Sequence, residues 1–167
     1  YTNTTGSYNV ALGMESLKSN TTASNNTAVG FKAGFANTTG TLTAIGRTAL
    51  ENNTTGVDNT ATGRATMSQN TTGGYNTAVG ALALLANTTA SSNTAVGYLS
   101  LTANTTGAFN VAIGNSALAT SVTGYFQTAV GYGALTNSNY TTNVYAYNTA
   151  VGYNAGAANT TGKVTAF

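Results

Sequence analysis

Only three side chains of this chain could act as a carboxylate acid or base, namely Glu15, Glu51 and Asp58. The sequence contains no histidine and no cysteine. Acid–base catalysis, nucleophilic triads and zinc sites all need close groups of these residue types. Glu51 and Asp58 could approach across a turn, but isolated surface charges explain them better. The sequence therefore predicts no enzyme, no cofactor and no metal site.

The charges are few and dispersed. Lysine and arginine number five against three acidic residues, and no basic run occurs. A nucleic-acid-binding surface needs clustered cations, so no nucleic-acid partner is expected. No apolar stretch approaches the roughly 20 residues of a membrane-spanning helix, so no membrane span is expected either.

Aromatic side chains form the next group that could bind a ligand. They recur at two positions, before and after a repeated Thr-Ala-Val-Gly motif. Rings in such columns could bind sugars or a partner, could stack on one another, or could contact a second subunit. The column before the motif holds Tyr8, Tyr75, Phe109, Phe126 and Tyr147, and the column after it holds Phe31, Tyr98, Tyr132 and Tyr153.

Asparagine also recurs at two positions. One position directly precedes the motif, and the other begins a repeated Asn-Thr-Thr segment. Stacked asparagines predict amide ladders that bond from one repeat to the next and satisfy turn backbone. The Asn-Thr-Thr segments are also sequons, so they are candidate glycan acceptors in a secretory system. These candidates are Asn20, Asn37, Asn53, Asn70, Asn87, Asn104 and Asn159.

The threonine pairs suggest a third surface chemistry, because a regular array of hydroxyl and methyl groups can order water. Neighbouring residues of an extended chain point to opposite faces, however. Thr88 and Thr89 would therefore offer one outward hydroxyl per repeat rather than two files. Ice binding through these pairs is accordingly disfavoured.

All of these positions are placed by one repeat of 17 residues that occurs about nine times, as in Thr77 to Gly80 and Thr94 to Gly97. A short fixed period indicates one unit stacked on itself. Helix-pair repeats need roughly 33 residues, and this unit is rich in glycine and β-branched residues. The sequence predicts an all-β fold, a parallel β-solenoid of nine to ten coils. We expect a single domain over 1–167 with partial coils at both ends.

Three further expectations concern the coil. The glycine after each strand, such as Gly80, Gly97 and Gly131, should lie at a corner. Thr77 and Val79 should point inward, because valine replaces the threonine elsewhere. A repeat shortened to 16 residues before Leu42 and one lengthened to 21 within 137–147 should place their indels in turns. A second inner column is predicted at Leu17, Leu50, Met67, Leu84, Leu101, Leu118 and Leu135, with Gly34 and Gly156 interrupting it.

The strand motif resembles a known repeat. Asn-Val-Ala-Leu-Gly at 9–13 and Asn-Val-Ala-Ile-Gly at 110–114 are similar to the YadA-like head repeat of trimeric autotransporter adhesins and to related repeats of phage tail fibres. The resemblance implies a left-handed parallel β-roll. It also implies association of three chains into a head that adheres to host matrix or to other cells.

Two functions follow as expectations. The first is a structural subunit of an extracellular fibre or surface appendage, a homo-oligomer that assembles by end-to-end stacking. The terminal segments read as complementary half-coils, which predicts a contact that propagates into a filament. The alternative is a trimeric adhesin head or receptor-binding fibre module that binds host glycan or matrix protein. Either role places the chain outside the cell, on a cell surface or on a virion. The expected end-to-end contact comprises Tyr1, Tyr8, Val164 and Phe167.

Overall fold

The computed structural model describes residues 2–138, 140, 144–160 and 162–167. Across these ranges the chain forms short strands, and it contains no helix of the length and apolarity needed to cross a membrane. The strands are β1 (Val10–Leu12), β2 (Thr27–Val29), β3 (Leu42–Ile45), β4 (Asn59–Thr62), β5 (Thr77–Val79), β6 (Thr94–Val96), β7 (Val111–Ile113), β8 (Gly124–Tyr125), β9 (Thr128–Val130), β10 (Val144–Tyr145), β11 (Thr149–Val151) and β12 (Thr165–Ala166).

Ten of these strands form one parallel sheet in the order β1-β2-β3-β4-β5-β6-β7-β9-β11-β12. Corresponding residues of successive coils face each other, for example Thr77 and Thr94. The remaining strands, β8 and β10, form a second parallel pair. The prediction of an all-β parallel solenoid is confirmed, with about nine turns and a spacing near 17 residues.

Each coil turns through residues with positive φ. Gly97 directly follows β6 with a φ of 130°, and Gly80 and Gly131 do the same after β5 and β9. The prediction that these glycines lie at corners is confirmed. Leu84 also has a positive φ, of 50°. A left-handed conformation costs an L-residue about 1–2 kcal/mol, and complete burial of a leucine contributes about 1.5–3 kcal/mol. Burial of the side chain therefore offsets the strained corner.

The leucine column is confirmed as the inner one, because Leu84 and its equivalents are buried along the whole rod. The predicted orientation of the strands is wrong. Ala78 is 0% exposed whereas Val79 is 39% exposed, so the alanine faces the core and Thr77 and Val79 face outward. The physical reason is space. The narrow interior opposite the leucines leaves room for a methyl group only, which is why alanine recurs at this position in every strand of the large sheet.

The core is rearranged where the leucine column is interrupted. A Cβ atom on Gly34 would lie 3.1 Å from Leu17 Cδ2 and 3.2 Å from Leu42 Cδ1. Leu42 thus occupies the volume that a leucine at 34 would fill, and it stands where the other coils have the asparagine before the strand. A Cβ on Gly156 would likewise meet Leu135 and Val164. The coils that contain Gly34 and Gly156 are both 16 residues long, as the pairing of Thr27 with Thr43 and of Thr149 with Thr165 shows.

This compensation predicts energetic coupling. Gly34→Leu alone should destabilise the rod by about 1–3 kcal/mol through overpacking, and Leu42→Asn alone by about 2–5 kcal/mol through the cavity it leaves. The double variant restores the side-chain pair of the ordinary coils. Its loss in chemical denaturation should therefore be smaller than the sum of the single losses by roughly 0.5–3 kcal/mol. If the loss in the double variant equals the sum of the two single losses, Leu42 does not fill the space left by Gly34.

The lengthened repeat contains more than a turn. The expected insertion at 137–147 includes β10, which pairs with β8, and the buried Tyr140. The Tyr140 hydroxyl donates to the Gly162 carbonyl at 2.9 Å and accepts from Asn148 Nδ2 at 2.9 Å. Residues 139 and 141–143 of this segment lie outside the described ranges. The insertion is therefore tied to the coils on either side by backbone pairing and by one buried phenol.

Candidate functional site: the outer strand face and the columns beside it

The asparagines of the Asn-Thr-Thr segments form a buried amide ladder. Each Nδ2 donates to the Oδ1 of the preceding coil, as from Asn70 to Asn53 and from Asn87 to Asn70, both at 2.7 Å. It also donates to the carbonyl three residues ahead, as from Asn87 to Ala90 at 3.1 Å. The ladder runs from Asn3 to Asn104 through the intervening members Asn20, Asn37, Asn53, Asn70 and Asn87.

This burial bears on the glycan acceptors proposed from the sequence. The six side chains from Asn20 to Asn104 in the ladder are buried, and their amide nitrogens are already bonded. The folded coil has no room for a glycan on any of them. Asn159 is only half-buried and its Nδ2 donates to the Gly162 carbonyl at 2.7 Å. Of the seven candidates, Asn159 is the one whose surroundings leave access from solvent.

The asparagines before the strands form a second ladder with a different pattern. The Oδ1 of Asn76 accepts from the backbone N–H of Asn93 at 2.9 Å, and Asn76 Nδ2 donates to the Ala90 carbonyl at 2.9 Å. Each side-chain amide thus bonds two backbone groups, an N–H through its oxygen and a carbonyl through its nitrogen. The ladder interpretation made from the sequence is confirmed for both asparagine columns.

The first ladder stops where its asparagine becomes serine. Ser121 follows Asn104 in the column, and Asn104 Oδ1 is buried with no hydrogen-bond partner among the described residues. Gln127, which replaces an asparagine of the second ladder, reaches across to Ser121 Oγ at 2.8 Å and accepts from Ser138 Oγ at 2.7 Å. The longer side chain of Gln127 thus bonds the two shorter serine side chains. This compensation resembles that of Gly34, whose missing side chain is replaced in space by Leu42.

The aromatic columns contain one continuous stack. Phe126 lies between Phe109, with ring centroids 5.1 Å apart and planes 3° apart, and Tyr147, at 5.5 Å and 10°. The ammonium of Lys163 lies 5.3 Å from the Tyr147 ring. Both faces of Phe126 are therefore covered by other rings, which leaves its edge to the surface. A sugar that binds by stacking needs a free ring face, and Phe126 offers none, so Phe126 is the middle member of a ring ladder.

The other aromatic candidates are dispersed. Tyr132 and Tyr153 stack at 5.4 Å, and Phe31 lies beside the ammonium of Lys32 at 5.6 Å. Tyr8 and Tyr75 are exposed and Tyr98 is 47% exposed, and none of the three has a ring partner among the described residues. The structure therefore joins the column residues into pairs and triplets rather than into one continuous stripe.

The stack predicts a position-dependent effect on stability. Phe126→Leu removes two stacked pairs at about 0.5–1.5 kcal/mol each, so its unfolding free energy should fall by about 1–3 kcal/mol. Tyr75→Leu occupies the equivalent position without a ring neighbour and should change little. Guanidinium denaturation of both variants checks this, and equal losses would show that stacking does not stabilise the column.

Each of the three carboxylates contacts a different neighbouring side chain. The Lys18 ammonium donates to the Glu15 carboxylate at 2.6 Å, and this hydrogen bond lowers the pKa of Glu15 below its ordinary value. The small, solvent-screened stability this gives is present above the ordinary pKa and is lost as pH falls through the lower folded value. Glu51 pairs with Lys32 at 3.6 Å, whereas Asp58 accepts from the Thr41 hydroxyl at 2.8 Å. The described residues contain no group of three potential metal ligands.

The expected end-to-end residues lie on the surface where they are described. Tyr8 is 87% and Phe167 90% exposed, and Val164 is half-buried against the core. Val164 also donates its backbone N–H to Asn148 Oδ1 at 2.8 Å, which continues the second asparagine ladder. Tyr1 lies outside the described residues.

The outer strand face is the surface that the sequence analysis missed, because the strands were assigned with the opposite orientation. It consists of two files of side chains along the large sheet. The signal that could have identified it is the constancy of alanine between two variable neighbours, which marks the narrow interior. The first file is Val10, Thr27, Thr43, Thr60, Thr77, Thr94, Val111, Thr128, Thr149 and Thr165, and the second is Leu12, Val29, Ile45, Thr62, Val79, Val96, Ile113, Val130 and Val151.

Comparison of the chain with protein-family models, with curated proteins and with solved structures found no match.

Proposed function

We propose that the chain is a structural module of an extracellular fibre or surface appendage, whose coils continue end to end from one copy to the next. The observation that carries the proposal is the uniform register of the sheet. Every described pair in it is parallel and places equivalent residues opposite each other, as Ala78 and Ala95 do. An end coil of one copy could therefore pair with an end coil of another copy in the same parallel register.

Three contacts would repeat at such a junction. A strand at the edge of a sheet has backbone N–H and C=O groups that are unpaired on one side, which favours the addition of a further strand. Both amide ladders have a direction. In the Asn-Thr-Thr column Nδ2 of each coil donates to the oxygen of the preceding one, and in the other column the backbone N–H of Asn93 donates to Oδ1 of the preceding Asn76. Stacking from copy to copy would extend the ladders head to tail, and a head-to-tail contact does not close on itself.

The alternative is a trimeric adhesin head of the kind that the YadA-like resemblance implies. The exposed aliphatic side chains of the outer strand face favour it, since Val79, Ile113 and Val151 are each about two-fifths exposed. Three copies packed through this face would cover these groups. The two functions differ in the size of the particle they form.

Electron microscopy and sedimentation velocity of the purified chain test the proposal. We expect filaments whose length grows with concentration, and loss of the polymer when 164–167 is deleted. Thr89→Lys, an exposed change away from the strand edges, serves as the control and should leave polymerisation intact. A monomer or a closed trimer that is independent of concentration would overturn the fibre, and a trimer would favour the adhesin head.

A further inference from the structure

The threonines of the outer strand face differ from the first threonines of the Asn-Thr-Thr segments in what their hydroxyls do. In the Asn-Thr-Thr segment the first threonine bonds to the next coil, as Thr71 Oγ1 donates to the Thr88 carbonyl at 3.0 Å. Thr38 and Thr54 donate in the same way, also at 3.0 Å. Thr77 and Thr94 have no side-chain hydrogen bond to any described residue, and this holds for all eight threonines of the outer file. Their hydroxyls can both donate and accept.

These hydroxyls form a regular grid. Successive coils place them about 4.8 Å apart along the rod, and the aliphatic file runs about 6.6 Å away across each strand. Strand pairing fixes this spacing, with Thr77 opposite Thr94 and Val79 opposite Val96. Hydroxyls, threonine methyls and aliphatic groups thus alternate on a rigid surface.

The face carries no charged side chain in either file, so it offers nothing to an ionic partner. Its area is about 430 Å², from a width of about 10 Å and a length of about 43 Å. Two copies placed face to face would bury about 860 Å² in total, whereas a specific protein interface buries about 1,200–2,000 Å². The face alone is therefore small for a stable pair of copies. A dry contact would also have to find partners for the free hydroxyls.

We propose that the outer strand face binds ordered water, namely the surface of an ice crystal. The hydroxyls take the place of water molecules at the crystal surface, where each donates and accepts hydrogen bonds. The adjacent methyl and aliphatic groups restrict the orientation of first-shell water, which favours an ordered layer. Because the side chains are fixed by strand pairing, little ordering of the protein is required on binding. This activity is separate from the fibre role, and it would attach such a fibre to an ice surface.

The proposal moves water ordering from the Thr88-Thr89 segment to the strands. In six of these segments the first hydroxyl is used within the protein, as Thr88 Oγ1 donates to the Thr105 carbonyl at 3.4 Å. On the strands two outward files stand side by side. The strand face therefore supplies the two-file array that the segment lacks.

Partition into a slowly growing ice surface and inhibition of ice recrystallisation test the proposal. We expect the unmodified chain to concentrate in the ice phase. The variant Thr77→Val/Thr94→Val removes hydroxyls only, and valine already occupies this file at Val10 and Val111, so the fold should persist. It should bind ice more weakly. The variant Thr77→Lys/Thr94→Lys should be excluded from ice.

The matched control is Thr72→Lys/Thr89→Lys, which places the same charges in the same two coils on another exposed file. It should bind ice as the unmodified chain does, with circular dichroism verifying the fold of every variant. Exclusion of the unmodified chain from ice would overturn the proposal, as would full binding by the valine variant or equal loss in the control. Binding to powdered cellulose or chitin instead of ice would identify a neutral polysaccharide as the ligand. A self-association that only the strand-face variants abolish, without ice binding, would identify a second copy. Filament formation, scored on the same samples by microscopy, is read independently.

Discussion

Leu84→Asp is expected to abolish cooperative folding around the coil that carries it, and Leu101→Asp to do the same one coil further on. Both leucines are completely buried in the inner column. An unpaired carboxylate in this position loses its hydration, at a cost of several kcal/mol. Circular dichroism melting should show a large fall in the midpoint or no transition at all.

Two substitutions control this result. Val79→Asp introduces the same charge in the same coil on the outward side and should retain the fold. Glu15→Gln alters an exposed ion pair and should change little. Burial raises the pKa of the carboxyl introduced at Leu84, so that variant should be least unstable at pH values below about 3.9, the ordinary pKa of aspartate. Equal melting midpoints for all four variants would mean that the inner column is assigned incorrectly.

Gly97→Ala should produce the second large loss. Gly97 has a φ of 130°, and an added Cβ would lie 2.6 Å from the carbonyl carbon and oxygen of Gly114 in the next coil. The backbone of that coil cannot withdraw without breaking its own pairing. The free energy of unfolding should fall by more than the roughly 1–3 kcal/mol typical of backbone strain alone.

Gly152→Ala is the control that distinguishes backbone strain at positive φ from the steric clash of the added Cβ with the next coil. Gly152 has nearly the same φ, 132°, but the nearest atoms to its added Cβ are 3.8 Å away. Denaturant unfolding should therefore show a loss within the range of strain alone. If both alanine variants lose the same stability, the close approach between stacked corners is not what demands glycine.

Much of the fold follows from the repeat. The period, the parallel pairing, the glycine corners and the leucine column were all predictable, because each is encoded in every copy of one short unit. The orientation of the strands was not. Replacement of the outer threonine by Val10 and Val111 indicated an apolar environment, but valine is also tolerated at an exposed strand position. The constant alanine was the stronger signal, since only a small side chain fits opposite the leucines.

The second short coil was not predicted, for a related reason. Comparison within one column shows that Gly156 interrupts the leucines, but the compensating Val164 stands in the asparagine column of the next coil. Only the stacked geometry brings the two together. Likewise the sequence could not decide between a binding stripe and a ring ladder, because that depends on whether ring faces point along the rod or away from it. Phe126 shows that here they point along it.

The interruption of the amide ladder at Asn104 passes the side-chain bonding between coils from one column to the other. From Asn3 to Asn104 each junction includes an amide bond within the Asn-Thr-Thr column, and Asn104 Oδ1 has no such bond to Ser121. The second ladder still spans this junction, since Asn110 Nδ2 donates to the Gly124 carbonyl at 2.7 Å and Asn110 Oδ1 accepts from the Gln127 N–H at 3.0 Å. Because coils in such a fold are held only by their neighbours, two parallel ladders provide redundancy: the loss of one side-chain bond leaves the junction joined by the other.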